Sequence, residues 1–336
     1  MTARTKSAQK HIEDILAIAF EHSPAHEAVI VYDLRSELSI ILYDAYRQAL
    51  PQARLIDFDQ ATPEFILEVF NQLAPLDLAI LIQSTSFRLD AYRVRVELFK
   101  RKLKVIEHPH LYRMTGEAAL TYIESLAYDP QYYRGVGRKL KAHIDSAEVC
   151  VVESGGEELI FPAGFEPAKL NVGDYTGMAN IGGQFPIGEV FTESKDLERV
   201  NGRVRTFAFA DVAFQVNKPP TPITLIVEAG RVTAAEHSTP EFEEVLARIR
   251  ADEGEVWLRE LGFGMNRAFT PERLVSDVGT YERMCGIHLS LGAKHAIYVK
   301  PGFGRRAGKH HVDVFAAANT VRLDQRIVFQ NGAWQV

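Results

Sequence analysis

Short apolar runs alternate with amphipathic stretches along the first third of the chain. Such runs are typical of strands buried on both faces, and the stretches between them have the length and apolar spacing of helices. The predicted strands are AVIVY (28–32), ARLIDF (53–58), LDLAILI (76–82) and LKVIEH (103–108), and the predicted helices cover residues 36–50, 62–73 and 88–103, after an amphipathic start. Strands that alternate with helices predict a parallel sheet.

From about residue 135 the pattern changes to strand-like segments separated by turns such as EAGR and QNGA. Gly and Asn-Gly supply the positive φ of tight reversals, so these segments predict antiparallel hairpins. One helix interrupts them, residues 238–254, with Thr239 as N-cap and Pro240 as first helical residue. The sequence thus predicts α/β plus α+β architecture: a small parallel α/β domain, residues 1–134, and a mainly antiparallel β-rich domain, residues 135–336.

Composition and loop chemistry narrow the classes of function. The formal charge of -6 and pI near 6.0 argue against nucleic acid as a partner. No run of about 18 apolar residues occurs, which predicts a cytoplasmic protein with no membrane partner. The stretch YDLRSE (32–37) after the first strand lacks the glycines of a dinucleotide-binding loop. Cys150 and Cys285 lie outside any CxxC spacing and are expected to be buried small residues.

Acidic and imidazole side chains recur beside glycines in the second half of the chain. They are Glu189 in IGEVF, Glu260 in RELGFG, His288 in GIHLSLG, and His311 and Asp313 in KHHVDVF. Each one alone is more often a solvated or core side chain than a ligand. Together they form the nitrogen and oxygen set that suits a pair of zinc, cobalt or manganese ions. A water between two such ions loses a proton near neutral pH, and the ions polarise a substrate carbonyl.

His310 and His311 compete for the role beside Asp313. Successive side chains of a strand alternate faces, so His311 and Asp313 point the same way and His310 points the other. A bulge would exchange the two histidines. A histidine beside Asp313 is expected either to bind a metal ion together with it or to form an ordinary surface hydrogen bond with it.

Four stretches, in this order and at comparable intervals, resemble the thermophilic metallo-aminopeptidase family that includes aminopeptidases T and S. They are GEVFTES (188–194), RELGFGMN (259–266), HLSLG (288–292) and HHVDVF (310–315). The resemblance covers roughly residues 135 to 336, and the first domain more loosely. It implies a homodimer and a two-metal site whose ligands are Glu189, Glu260, His288, His311 and Asp313.

The chain departs from the family pattern beside these positions. The family has a tyrosine seven residues after the metal-binding histidine, where this chain has His295. An acid-acid-asparagine segment of the family reads Glu282, Arg283 and Met284 here. The resemblance makes Glu282 a candidate general base or amine-binding acid and His295 a candidate electrophilic helper. Each is equally well explained as a solvated side chain.

The segment between the last two motifs is short, with 23 residues from His288 to His311. It contains the cationic stretch GFGRRAGK (302–309). Together with Arg283, its Arg305 and Arg306 are candidates to bind a substrate carboxylate in a forked geometry. A solvated loop is the alternative.

Three functions compete. The leading hypothesis is a metal-dependent hydrolase of the aminopeptidase type, which cleaves an N-terminal residue from a small peptide or a related amide through a metal-bound hydroxide. The second is a mononuclear Fe(II) ring-cleaving dioxygenase of the dihydroxypyridine type, which shares the scaffold but holds iron with two histidines and an aspartate. The third is a non-catalytic peptide-binding or small-molecule-binding protein on the same scaffold. The set formed by His311, Asp313 and Glu260 contains one histidine and two carboxylates. It suits the hydrolase better than the iron enzyme, which needs two histidines.

Overall fold

A computed structural model describes residues 2–89, 94–295, 297–300 and 308–336. The chain divides into two compact units: unit 1 is Met1–Pro130 with Gly173–Ile187, and unit 2 is Gln131–Val172 with Gly188–Val336. Unit 1 contains a parallel sheet with helices and unit 2 a large antiparallel sheet, which confirms the predicted fold class. The predicted single boundary after residue 134 stays a prediction. The sequence did not predict that residues 173–187 would belong to unit 1.

Unit 1 is built from helices and strands that alternate along the chain. Its α-helices are α1 (Ala3–Asp14), α2 (Glu37–Ala49), α3 (Pro63–Gln72), α4 (Val94–Lys100) and α5 (Glu117–Ser125); a π-helical turn at Ile15–Ala19 continues α1, and a 3-10 turn lies at Leu111–Arg113. Its strands are β1 (Ala28–Tyr32), β2 (Arg54–Asp57), β3 (Leu78–Ile82), β4 (Lys104–His108) and β8 (Ile181–Gln184). The strands form one parallel sheet in the order β2-β1-β3-β4-β8. The predicted strands and helices are all present, although residues 90–93 of the predicted helix 88–103 lie outside the described residues.

The apolar runs form these strands because helices cover the sheet on both faces. All five residues of β3 are buried, as are four of the five in β1. Apolar side chains from β1, β3 and β4 pack with those of α3 and α4 in one core cluster. Strand β8 has no apolar run, and it pairs with β4 at the edge of the sheet. Glycine is required there, because Gly182 has φ +100° and a Cβ at this residue would lie 1.9 Å from the carbonyl oxygen of Val105.

Unit 2 begins with a helix, which corrects the expectation of a β-rich texture from residue 135. Helix α6 (Pro130–Ser146) places Tyr133, Gly137, Leu140 and Ile144 on one buried face at helical spacing. The two glycines within it hide this period in the sequence. Gly137 is needed for close approach, since a Cβ there would lie 2.7 Å from Cγ1 of Val172.

Within the described residues, fourteen strands form the sheet of unit 2. They are β5 (Cys150–Ser154), β6 (Glu157–Phe161), β7 (Lys169–Asn171), β9 (Glu189–Glu193), β10 (Asn201–Ala210), β11 (Val216–Asn217), β12 (Ile223–Glu228), β13 (Arg231–Glu236), β14 (Leu258–Gly264), β15 (Gly286–Leu291), β16 (Val312–Ala316), β17 (Thr320–Leu323), β18 (Arg326–Gln330) and β19 (Ala333–Trp334). The main order is β19-β18-β17-β5-β6-β10-β16-β15-β14-β9-β7. Strands β16, β15, β14 and β9 are therefore consecutive neighbours although they are distant in sequence.

Within the described residues, the remaining helices of unit 2 are α7 (Pro240–Glu253), α8 (Val278–Tyr281) and a 3-10 turn at Leu197–Arg199. The Thr239 side chain accepts a hydrogen bond from the Phe242 amide at 3.3 Å, so the predicted N-cap is confirmed. The predicted turns contain positive φ at Gly230 and Gly332. Both cysteines are buried and free. No helix in the described part of the chain is long and apolar enough to span a membrane.

We expect acid to weaken the folded state through His108. Its imidazole is fully buried in unit 1 between the hydroxyls of Tyr46 and Tyr122, at 2.8 and 2.7 Å, and burial lowers the pKa of His108 to about 3. An unfolded histidine has a pKa near 6.5. Below that value the unfolded chain binds a proton that the folded chain does not. The free energy of unfolding then falls by up to about 1.4 kcal/mol per pH unit for this group.

Urea unfolding between neutral pH and about pH 5 measures this slope. The His108→Gln variant cannot titrate there, so its unfolding free energy should vary less with pH than that of the wild type, although it is lower at neutral pH. His237→Asn at an exposed position serves as control and should keep the wild-type slope. An unchanged slope in His108→Gln would contradict the assignment.

Candidate metal centre

Four of the five predicted ligands lie on adjacent strands of unit 2. Glu189 is the first residue of β9, Glu260 lies in β14, His288 in β15 and Asp313 in β16. All four are buried, with 1 to 7% of each residue exposed. His311 directly precedes β16.

Strand pairing places these side chains on one face of the sheet. Gly264 pairs with Glu189 and Gly262 with His288, and Ser290 of β15 pairs with Asp313. Paired residues point to the same face, as do residues two apart along a strand. The sheet register thus gathers residues that are more than a hundred positions apart in the chain.

Glu189, Glu260 and His288 converge on one small volume. His288 Nε2 lies 3.3 Å from Glu189 Oε1 and 3.4 Å from Glu260 Oε1. One ligand atom from each residue falls within 4.8 Å of the other two, and among the described residues this is the one such group of three. The arrangement fits a single divalent ion held by two carboxylates and an imidazole.

Gly262 provides the space for the imidazole of His288. A Cβ at residue 262 would lie 2.0 Å from His288 Cε1 and 2.1 Å from Nε2. The neighbouring Gly264 is equally constrained, because its Cβ would meet the carbonyl oxygen of Met284 at 1.9 Å. The two glycines that follow Glu260 in the sequence therefore serve close packing.

His311 and Asp313 form a second pair of candidate ligands. His311 Nε2 lies 3.3 Å from Asp313 Oδ1, and His311 Nδ1 lies 3.3 Å from the carbonyl oxygen of Lys294. His310 instead has its Nε2 2.6 Å from Asp252 Oδ2. The alternation expected for the two histidines is therefore present, and His311 faces Asp313.

His295 and Glu282, the two predicted catalytic residues, also lie at this cluster. His295 Nε2 lies 2.9 Å from Glu260 Oε2, and the His295 side chain is only 2% exposed. Arg283 Nη1 contacts Glu282 and lies 3.1 Å from Glu189 Oε2. Arg283 thus acts as a buried counter-ion. Arg305 and Arg306 lie outside the described residues.

The pKa directions reflect the crowding of carboxylates. Burial raises the pKa of Glu282 to about 8; Arg283 opposes this shift, while Glu189 and Asp313 add to it. Burial disfavours a charged imidazole, yet the adjacent carboxylates outweigh it: Glu189 and Glu260 hold the pKa of His288 well above its usual range, and Asp313 raises the pKa of His311 to about 10. The site therefore favours bound cations.

Buried polar atoms without a hydrogen bond concentrate here. Within the described residues they include Arg283 Nε, His288 Nδ1, His295 Nε2 and Asp313 Oδ1. Each such atom costs about 1–3 kcal/mol when it has no partner. Their gathering at one place is evidence that a ligand completes the site.

Sequence reasoning missed Glu253, which fixes the segment around His295 and His311. Its Oε1 accepts hydrogen bonds from the amides of Lys309 and His310 at 2.6 and 2.8 Å, and its Oε2 accepts one from Ala293 at 2.7 Å. Nothing local to helix α7 signals this role, because all three amide partners come from elsewhere in the chain.

Comparison with known proteins supports the fold. No protein-family model matches the chain, and no curated protein matches it. Among solved structures, wild-type AmpT from Thermus thermophilus, an aminopeptidase T, is similar with a TM-score of 0.61. The similarity covers 99% of this chain and 100% of that chain at 14% sequence identity. The chain therefore has an aminopeptidase T-like fold.

We expect Gly262→Ala to displace the ring of His288, because the new methyl group would overlap it. Affinity for a divalent ion should fall by about tenfold or more, as when a group that orients a ligand is lost. Calorimetric titration with zinc or manganese measures this. Gly135→Ala, where a Cβ meets nothing within 4 Å, is the control and should bind as the wild type does. Equal affinity in the two variants would refute the role given to Gly262.

We expect Glu253→Gln to loosen the segment that carries His311, since a glutamine has one acceptor oxygen for three amide donors. The Ala293 or Lys309 amide should exchange hydrogen faster, and metal affinity should fall by about tenfold. Hydrogen exchange with mass spectrometry measures the first effect. Glu244→Gln makes the same change of charge at an exposed position of α7 and should leave both unchanged. Wild-type exchange in Glu253→Gln would contradict the proposed contact.

Proposed function

We propose that this protein is a metal-dependent hydrolase of the aminopeptidase type, which cleaves an N-terminal residue from a small peptide or a related amide. The observation that carries the proposal is the convergence of Glu189, Glu260 and His288 on one buried volume. The aminopeptidase T-like fold supports it. The fold alone would not be enough, because one fold supports many activities.

The residues present fit divalent metal. Carboxylate oxygens and imidazole nitrogens suit zinc, cobalt or manganese. We assign one ion to Glu189, Glu260 and His288, and a second to His311 and Asp313. One oxygen of the Glu260 carboxylate lies near His288 and the other near His295. Bound ions supply a Lewis acid for the substrate carbonyl and lower the pKa of water.

The other residues of the site prepare the reaction. Glu282 is the candidate general base or amine-binding acid in this proposal; burial raises the pKa of Glu282 to about 8, and a group whose pKa lies near the working pH exchanges protons effectively. Arg283 holds Glu282 in place and contacts Glu189. His295 lies beside Glu260, where it can contact a substrate oxygen. The homodimer and the cytoplasmic location stay predictions from the sequence.

Elemental analysis of chelator-free protein, with the variants His311→Ala and His310→Ala, tests the metal site. We expect nearly two zinc, cobalt or manganese ions per chain in the wild type, loss of at least one in His311→Ala, and no change in His310→Ala, because His310 faces Asp252. Hydrolysis of aminopeptide substrates should follow the same order.

Two outcomes would overturn the proposal. About one iron per chain with oxygen uptake on a dihydroxypyridine would identify the ring-cleaving dioxygenase instead. Folded protein that holds no metal and cannot be reloaded would leave a non-catalytic binding protein. Equal metal loss in both histidine variants would show that His311 is not specifically a ligand.

A further inference from the structure

The two imidazoles that flank Glu260 and Asp313 have opposite hydrogen-bond environments at Nδ1. His311 Nδ1 lies 3.3 Å from the carbonyl oxygen of Lys294, and a carbonyl only accepts, so this nitrogen carries a proton. Its Nε2, which lies 3.3 Å from Asp313 Oδ1, is then the nitrogen available to a metal ion. A backbone carbonyl on the other ring nitrogen is the usual arrangement for a metal-binding histidine.

His295 has the reverse arrangement. The amides of Ile297 and Tyr298 both donate to His295 Nδ1, at 3.2 and 3.3 Å. A nitrogen that accepts these bonds carries no proton, so the single proton of the neutral ring lies on Nε2. Such a ring donates a hydrogen bond from Nε2 and has no lone pair there for a metal ion.

The Nε2–H donor of His295 has no acceptor within the described residues. It lies 2.9 Å from Glu260 Oε2, but this contact lacks hydrogen-bond geometry. A buried donor that stays unpaired costs about 1–3 kcal/mol. Such a donor, beside a cluster of candidate metal ligands, indicates an acceptor that arrives with the substrate.

Described residues on both sides of His295 are anchored to the rest of unit 2. Buried Arg259 donates to the carbonyl oxygens of Ala293 at 2.7 Å and Tyr298 at 3.2 Å, one on each side of His295. Arg259 is itself paired with buried Glu193. The Tyr298 hydroxyl donates to the carbonyl oxygen of Pro167 at 2.8 Å, and its ring lies 4.9 Å from that of His295.

We propose that the backbone fixes His295 as a neutral Nε2–H donor that binds the reacting oxygen of the substrate, while it fixes the adjacent His311 as a metal ligand. The proposal rests on the hydrolase function proposed above and gives it a specific donor. His295 is then neither a third imidazole ligand nor a general base. The two ring centroids lie 6.2 Å apart, and the backbone groups that bond the two Nδ1 atoms belong to Lys294, Ile297 and Tyr298.

Nitrogen NMR of protein labelled at histidine tests the tautomer independently of activity, because protonated and unprotonated ring nitrogens resonate in separate ranges. His295→Phe and His311→Ala identify the signals. We expect an unprotonated Nδ1 and a protonated Nε2 for His295, with and without added zinc. A protonated Nδ1, or an Nε2 signal that shifts to the metal-bound range on loading, would overturn the proposal.

Kinetics and metal content of His295→Phe and His295→Gln test the role. We expect both to keep the wild-type metal stoichiometry. His295→Phe should lose about 100-fold or more in kcat with little change in KM, and His295→Gln, which retains an N–H donor, should lose less. Loss of metal in His295→Phe would make His295 a ligand, and an unchanged kcat would remove it from the reaction. If the wild-type protein hydrolyses no amide, the proposed function fails, while the NMR result still decides the tautomer.

Discussion

Buried carboxylates on one face of a sheet repel each other, and the candidate metal centre depends on how that repulsion is neutralised. Removing charges from water is costly unless opposite charges replace the solvent. Within the chain, Arg283 contacts Glu189 and Glu282. The neighbouring carboxylates also raise the pKa values of His288 and His311, which favours the positively charged form of both imidazoles. Four buried polar atoms at the centre, among them His295 Nε2 and Asp313 Oδ1, have no hydrogen-bond partner within the described residues. The same excess of negative charge that opposes folding therefore favours the binding of cations.

Much of the fold follows from local patterns. The run AVIVY became β1 without a change of bounds, and Thr239 caps α7 as its position before Pro240 indicates. Helix α6 was not predicted because two glycines interrupt the helical spacing of its apolar residues. Strand β8 was not predicted because it forms only by pairing with β4. Alternation along a strand separated His311 from His310 correctly. It could not reveal that Asp252 would bind His310, because that contact joins residues 58 positions apart.

The candidate site could be anticipated as a set of residues but not as an arrangement. Sequence order gave no distances, whereas the pairing of β9, β14, β15 and β16 brings the side chains to one face. Glu253 and Arg259 were not recognised because their partners are distant in sequence: backbone atoms for both residues and, for Arg259, also the Glu193 carboxylate. Backbone hydrogen bonds of this kind also decide which nitrogen of an imidazole carries its proton. Two identical residue types can therefore have different chemistry, which no residue pattern records. At 14% identity to AmpT, the likeness concerns the fold, and the chemistry must be argued from these contacts.

Because residues 173–187 belong to unit 1, no single cut in the chain would separate the two units. A protein truncated after Pro130 would lack β8, and the edge of β4 that pairs with residues 181–184 would lose its partner. An unpaired parallel edge offers free amide and carbonyl groups to other chains. Gly182 fits there only because it has no side chain, so few foreign segments could replace it. Unit 1 is thus completed by a segment that is synthesised after the first strands of unit 2. Until that segment leaves the ribosome, β4 has no β8 to pair with, and this edge of the sheet stays unpaired.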